Sequence, residues 1–191
     1  MKMSLTEQDI MEIGKNFLEE RIKALQKEVS YCISYNEEIK EAVAPLSALL
    51  FCFSTIDLLG SLYTGKFDEH NDTQNAKSYM RDMMFYSDFQ ITLLQHIFRH
   101  KLVHAAEPKW LYENNGEFYS WSCYSNHRAK HLECVTLDKE SHANNFSISI
   151  WSLVEDIADS VHKEQGYLNK VLKKENGIFY NFSKTFKKII S

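Results

Sequence analysis

The fold is decided by an apolar stretch at residues 45–63, which reads PLSALLFCFSTIDLLGSLY. Its apolar residues cover nearly every side of a helix, and such a helix is either buried in a core or spans a membrane. The stretch also carries Asp57 and several hydroxyl side chains, which are costly in a bilayer. We therefore predict a central core helix that begins at Pro45 and ends near Gly65, since proline suits a helix start and glycine a helix end.

Amphipathic segments lie on both sides of this stretch. Residues 5 to about 40 carry apolar side chains at helical spacing, which predicts a long first helix capped by Ser4 or Thr6. The same spacing recurs later in the chain, with residues 73–84 and 88–106 forming one helix or two. Further helices are predicted from Ser147 onwards and at residues 178–190.

Between these helical regions the pattern changes period. Aromatic-rich runs flank Asn114-Asn115-Gly116, a turn sequence typical of a β-hairpin. Residues 131–137, HLECVTL, can supply a third strand. The predicted fold is mainly α: a helical bundle with a small β-hairpin or three-stranded insertion near residues 109–137. Residues 1–191 then form a single helical domain, with residues 109–146 as its β-containing insertion.

The bulk properties narrow the class of protein. The chain has 191 residues, a net charge of −4 and four dispersed cysteines. This length suits one domain with a real core, and the charge argues against a general nucleic-acid coat protein without excluding a local basic patch. Dispersed cysteines are typical of reduced thiols, and the N-terminus lacks the apolar run of a signal peptide. We therefore expect a cytoplasmic protein that does not associate with a membrane.

The helix predicted at residues 93–104 has two different sides, because successive residues are about 100° apart. One side should face the core: Leu94, Phe98 and Leu102. The other carries cationic or ionisable groups within an arc of about 140°: His96, Arg99, His100 and His104. Such groups repel one another unless an anion lies over them. A phosphate fits, since arginine offers paired donors and histidine exchanges protons near neutral pH.

The string Arg99-His100-Lys101-Leu102-Val103-His104 has an arginine, a polar residue, three further residues and a histidine. In this pattern it resembles the HEPN superfamily. The resemblance covers six residues as a sequence motif, and it covers residues 5–106 and 147–190 in their predicted helical architecture. HEPN proteins are small helical bundles, and many are metal-independent ribonucleases that assemble their site across a homodimer. The resemblance implies an RNA-cleaving homodimer of a bacterial toxin–antitoxin or phage-defence system, with an antitoxin or other protein partner.

The resemblance also implies a mechanism, in which a ribose 2′-hydroxyl attacks the adjacent phosphate. His104 would act as general base or acid, and Arg99 would neutralise the charge that develops on phosphorus. No metal or cofactor is implied. Three residues are expected to support the site or contact RNA: His100, His96 and Lys101. Asp57 needs a partner in its apolar helix, either Arg99, Arg81 or a local amide.

Other interpretations stay open at this point. The same helix can serve a non-catalytic scaffold in dimerisation or partner binding, or its histidines can belong to an ordinary solvated face. Two sets of residues could instead bind a metal, because their spacing allows several ligands to converge. One is His96, His100 and His104; the other is Cys123, His127, His131 and Cys134.

Overall fold

A computed structural model describes residues 5–38, 41–67, 72–105 and 108–190, with the backbone alone described for residues 41, 103–105 and 176. The protein is mainly helical and has a small mixed sheet, as predicted in outline. The principal helices are α1 (Glu7–Cys32), α2 (Pro45–Thr64), α3 (Asp72–Asp82), α4 (Asp88–Leu93), α5 (His100–Ala105), α6 (Ile150–His162), α7 (Tyr167–Leu172) and α8 (Ile178–Ile189), and a π-helical segment (Leu94–Arg99) joins α4 to α5.

The strands belong to two sheets. The short pair β1 (Tyr35–Asn36) and β2 (Glu41–Ala42) follows α1. The larger sheet contains β3 (Tyr112–Asn114), β4 (Glu117–Tyr124), β5 (Cys134–Asp138) and β6 (Ala143–Ser149), in the order β3-β4-β6-β5. β4 and β6 run parallel, and the other neighbouring strands are antiparallel. The sheet therefore has four strands, one more than predicted.

The chain divides into two compact units. We call the first the helical unit: Met1–Ala24, Ser54–Tyr86 and Ile157–Ser191. The second is the sheet unit: Leu25–Phe53 and Ser87–Asp156.

Aromatic rings fill the core of the helical unit. Tyr63, Tyr79 and Tyr167 meet edge to face, with ring centroids 5.8–6.0 Å apart. α2 and α3 approach closely at Gly60, where a Cβ would lie 2.6 Å from the carbonyl of Asn75. A larger residue at Gly60 would therefore push these two helices apart.

In the sheet unit, one face of the larger sheet packs on the helical segment that contains Phe98. The Phe98 ring lies 5.7 Å from that of Trp121 and 6.4 Å from that of Phe146, measured between centroids. These two partners face each other across the parallel pair β4 and β6. Phe98 is fully buried, so it anchors the segment to the sheet.

Local signals predicted several helix ends correctly. Thr6 caps α1: its hydroxyl accepts from the Asp9 amide at 3.2 Å, and the Asp9 carboxylate accepts from the Thr6 amide at 2.8 Å. α2 begins at Pro45 and is followed by Gly65, whose φ of +73° is the left-handed conformation expected after a helix. However, α1 ends at Cys32, so the prediction that this helix reaches residue 40 is wrong.

The helices over residues 73–84 and 88–106 are separate, because the chain turns sharply between them. Phe85 has a φ of +57°, which is unfavourable for a bulky side chain. Ser87 then starts α4 with a capping box, in which its hydroxyl accepts from the Gln90 amide and the Gln90 side chain accepts in return. The alternative of one continuous helix is therefore wrong.

The β-hairpin is confirmed. Asn115 and Gly116 join β3 to β4 with φ values of +54° and +82°, the positive pair that a tight hairpin turn requires. The third strand lies at Cys134–Asp138, slightly later than predicted. The prediction of helix from Ser147 is wrong, because β6 continues to Ser149 and α6 begins only at Ile150.

Among the described residues, α2 is the helix long and apolar enough to cross a membrane. Of its most apolar window, 56% is buried inside the fold. Several α2 side chains have no exposed surface: Ala48, Leu49, Cys52, Phe53, Ile56 and Leu59. This burial supports the prediction of a core helix in a soluble protein.

Candidate functional site

The segment that carries the arginine–histidine motif is interrupted by a π-helical turn. Residues Leu94–Arg99 are π-helical, and the amide of His100 donates to the carbonyl of Gln95, five residues earlier. The helix becomes α-helical again in α5. π turns inside helices occur frequently at functional sites. This one ends at Arg99, the first residue of the motif.

The π turn changes the geometry predicted for this segment. An arc calculated at about 100° per residue holds only for an α-helix, so the calculation of the cationic arc does not apply across residues 94–99. The core side is nevertheless confirmed, because Leu94 and Phe98 are fully buried and Leu102 is 4% exposed.

The predicted site residues differ in burial. Arg99 is 8% exposed, His96 and His100 are half-buried, and Lys101 is exposed. The backbone of His104 lies in α5, and its side chain lies outside the description. The Arg99 side chain is therefore mostly inside the protein, while the imidazoles of His96 and His100 reach the surface.

The structure brings the rings of His96 and His100 together, with centroids 5.7 Å apart. The His96 ring also stacks on Tyr112 at 5.0 Å, with an interplanar angle of 5°. Above the same tyrosine, the Lys109 ammonium lies 5.2 Å from the ring centroid, a cation–π distance. His96 is thus held by a neighbour that comes from β3.

Lys109 and Tyr112 were not predicted as site residues. After α5 the chain comes back to the π-helical segment, and the Lys109 amide donates to the carbonyl of Ile97 at 2.7 Å. This return places β3 beside His96. The contact is non-local, and no periodic signal in the sequence connects these positions.

Gln95 is an unusual residue of the π turn. Its side chain is fully buried, and neither the amide oxygen nor the amide nitrogen has a hydrogen-bond partner among the residues that the structure describes. A buried amide without partners costs free energy, and such groups in folded proteins call for a functional or structural explanation. Gln95 lies four residues before Arg99, so the unpaired amide and the buried arginine belong to the same turn.

Replacing Gln95 by methionine tests whether the buried amide of this residue lowers the stability of the protein. Methionine has a similar length and no group that needs a hydrogen bond, so the variant should raise the free energy of unfolding by about 1 kcal/mol. Urea denaturation followed by circular dichroism measures the change. Gln90→Met, at a partly exposed position in the capping box, is the control and should not stabilise. A destabilised Gln95→Met protein would show that the amide is satisfied in solution.

Asp57 belongs to the helical unit and Arg99 to the sheet unit. Whether Asp57 pairs with Arg99, with Arg81 or with a local amide stays a prediction.

The proposed Cys/His metal cluster does not form. Among the described residues, which include all four members, no three metal-ligating side chains converge. Both ring nitrogens of His131 are engaged: Nδ1 accepts from the Ser149 amide at 3.2 Å, and Nε2 lies 3.2 Å from Asp156 Oδ2. Burial raises the pKa of the Cys123 thiol to about 12, which disfavours the thiolate that metals bind. The other metal interpretation includes His104, whose side chain lies outside the description.

The cysteines should differ in reactivity towards iodoacetamide, because the thiolate is the reacting form. Cys134 is exposed, whereas Cys52 is fully buried, and burial raises the pKa of both Cys52 and Cys123. In the native protein at pH 8 we expect Cys134 to be alkylated first, with Cys52 and Cys123 protected until urea is added. Peptide mass spectrometry measures the order. Equal rates at Cys52 and Cys134 in the native protein would contradict the burial.

These features define a mainly helical protein whose candidate site is a π-distorted helix that bears arginine and histidine. Compared with known proteins, the chain matches no family model, no curated protein and no solved structure.

Proposed function

We propose that this protein is a HEPN-like, metal-independent endoribonuclease. The observation that carries the proposal is the π turn ending at Arg99, because it lies at the first residue of the arginine–histidine motif and π turns are common at functional sites. The paired rings of His96 and His100 add groups that can donate, accept and carry charge beside that arginine.

In the proposed reaction, a ribose 2′-oxygen attacks the adjacent phosphorus as its proton is removed. The bond from phosphorus to the 5′-oxygen breaks, and this oxygen takes up a proton that balances the one lost by the 2′-hydroxyl, leaving a 2′,3′-cyclic phosphate and a 5′-hydroxyl. His104 acts as the general base or acid, and Arg99 neutralises charge on the phosphoryl oxygens. His100, His96 and Lys101 position the RNA, and Asp57 is a further supporting residue.

The proposed assembly is a homodimer in the cytoplasm. A pair of symmetry-related motifs could surround one phosphate, and two-fold contacts are the commonest form of oligomer. The proposed setting is a bacterial toxin–antitoxin or phage-defence system, in which an antitoxin or another protein restrains the enzyme. No metal or other cofactor takes part in the proposed chemistry.

An RNA cleavage assay tests the proposal. The purified full-length protein is incubated with a mixed pool of RNAs, with and without EDTA, and the product ends are identified by mass spectrometry. We expect cleavage that survives EDTA and gives cyclic phosphate ends. Cleavage that stops in EDTA would contradict a metal-independent enzyme, and cleavage with 3′-hydroxyl ends would contradict 2′-hydroxyl attack.

A non-catalytic scaffold is the second candidate function, and the burial of Arg99 favours it. A side chain with 8% exposure is well placed for a structural role, and the same helix could then hold a partner protein or a second copy. Absence of cleavage across varied RNAs, with a stable dimer by light scattering, would favour this scaffold over the ribonuclease.

A further inference from the structure

Positive charge is concentrated at the C-terminal end of the chain. Residues 165–191 contain six lysines and a single acidic residue, Glu175, although the whole chain carries a net charge of −4. Such an asymmetry is typical of a surface that contacts nucleic acid or a membrane. Most of this range lies in α7, α8 and the turn between them in the helical unit.

α8 presents part of this charge on one exposed side. At about 100° per residue, four of its residues fall within an arc of about 100° and along about 12 Å of the helix. We call them the lysine face: Tyr180, Lys184, Lys187 and Lys188. All four are exposed, and the Tyr180 side chain, at 69%, places an aromatic ring among the ammonium groups.

The opposite side of α8 is occupied by the core. Phe182 and Phe186 are fully buried and stack on each other with centroids 5.1 Å apart, and Phe186 also meets Phe17 of α1. A membrane-surface helix inserts its apolar side into the lipid. Because that side of α8 is already packed, the lysine face suits a partner that is bound through charge and through a flat aromatic ring.

Lys173 and Lys174 follow α7 directly in the sequence. Lys174 pairs with Glu7 at 2.6 Å, and Lys187 also contributes to the lowered pKa of that glutamate. Glu7 therefore lies at the margin of the face, where its carboxylate would repel a bound phosphate.

We propose that the lysine face binds single-stranded nucleic acid. Its lysines neutralise backbone phosphates, and Tyr180 stacks on a base, an interaction that every base can make. This binding is independent of the proposed ribonuclease site and persists if that site is inactive.

Fluorescence anisotropy with a labelled 12-nucleotide single-stranded DNA tests the proposal. This probe has no 2′-hydroxyl, so the proposed cleavage cannot affect the measurement. The variant Lys184→Gln/Lys187→Gln/Lys188→Gln should bind at least about tenfold more weakly in low salt, and the slope of log affinity against log salt should become shallower by about 2. The matched control removes the same charge from the exposed side of α1: Lys15→Gln/Lys23→Gln/Lys27→Gln.

Two single variants separate stacking from charge. Tyr180→Ala should weaken binding about 5- to 100-fold, whereas Tyr180→Phe should keep the wild-type affinity because it keeps the ring. Glu7→Gln should strengthen binding. Equal losses in the lysine-face and α1 variants would overturn the proposal, as would unchanged binding by Tyr180→Ala. Lysine-dependent binding to vesicles of 80% phosphatidylcholine and 20% phosphatidylserine, without binding to DNA, would assign the face to a membrane.

Discussion

Replacing His104 by alanine should lower RNA cleavage by a factor of about 10²–10⁴, because the proposed reaction loses its proton-transfer group. Cleavage rates of purified wild type and variant under identical conditions measure the loss, and thermal unfolding shows whether the fold is kept. His162→Ala is the matched control, since this exposed histidine ends α6 in the other unit. Unchanged cleavage by His104→Ala would contradict the assignment of His104 as the proton-transfer group.

Arg99→Ala should also abolish cleavage, but unlike His104→Ala it should lower the stability of the protein too. Arg99 is buried, so its removal should lower stability as well as rate, whereas His104→Ala should affect rate alone. Arg99→Lys keeps the charge and loses the paired donors of the guanidinium. We expect this variant to recover less than a tenth of the wild-type rate. A fully active Arg99→Lys enzyme would show that charge alone is needed at this position.

Phe98→Ala should be the most destabilising of the proposed variants. Its ring is fully buried between Trp121 and Phe146, and removing a buried phenylalanine ring costs about 3–5 kcal/mol. Urea denaturation followed by tryptophan fluorescence measures the loss, because Trp121 lies in the contact.

The control for this prediction is Phe118→Ala on the same sheet. Phe118 is 38% exposed, so its loss should cost much less than that of Phe98. Phe98→Leu should also be milder than Phe98→Ala, since it refills most of the volume. Similar losses at Phe98 and Phe118 would contradict the packing of the π-helical segment on the sheet.

Signals that lie within a few residues predicted their structures well. Pro45 and Gly65 bound α2, and Asn115-Gly116 turn the hairpin. In each case the backbone preference of one or two residues decides the conformation, and distant contacts need only be compatible with it.

β6 shows how a local signal can be ambiguous. Phe146, Ile148 and Ile150 alternate with serines, which is the period of a strand, yet Ile150 also begins the helical stripe of α6. Two patterns share one residue here. The helix starts three residues later than predicted because β6 pairs on both sides, with β4 and with β5.

The candidate site was predictable only in part. Arg99, His100 and His104 follow from their spacing along one helix, and the helix itself follows from its apolar side. The stacking of His96 on Tyr112 could not be predicted, because it depends on the chain that returns to Ile97 after α5.

By itself, the sequence determined most of the helical segments, where α2 begins and ends, and which apolar residues of the motif segment face the core. These properties depend on backbone preferences and on hydrophobic period, both of which act over a few residues. Only the tertiary structure decided the parallel pairing of β4 with β6, the burial of Arg99 and the burial of the Gln95 amide. Those properties depend on which distant segments meet, and that is settled by the packing of the whole chain.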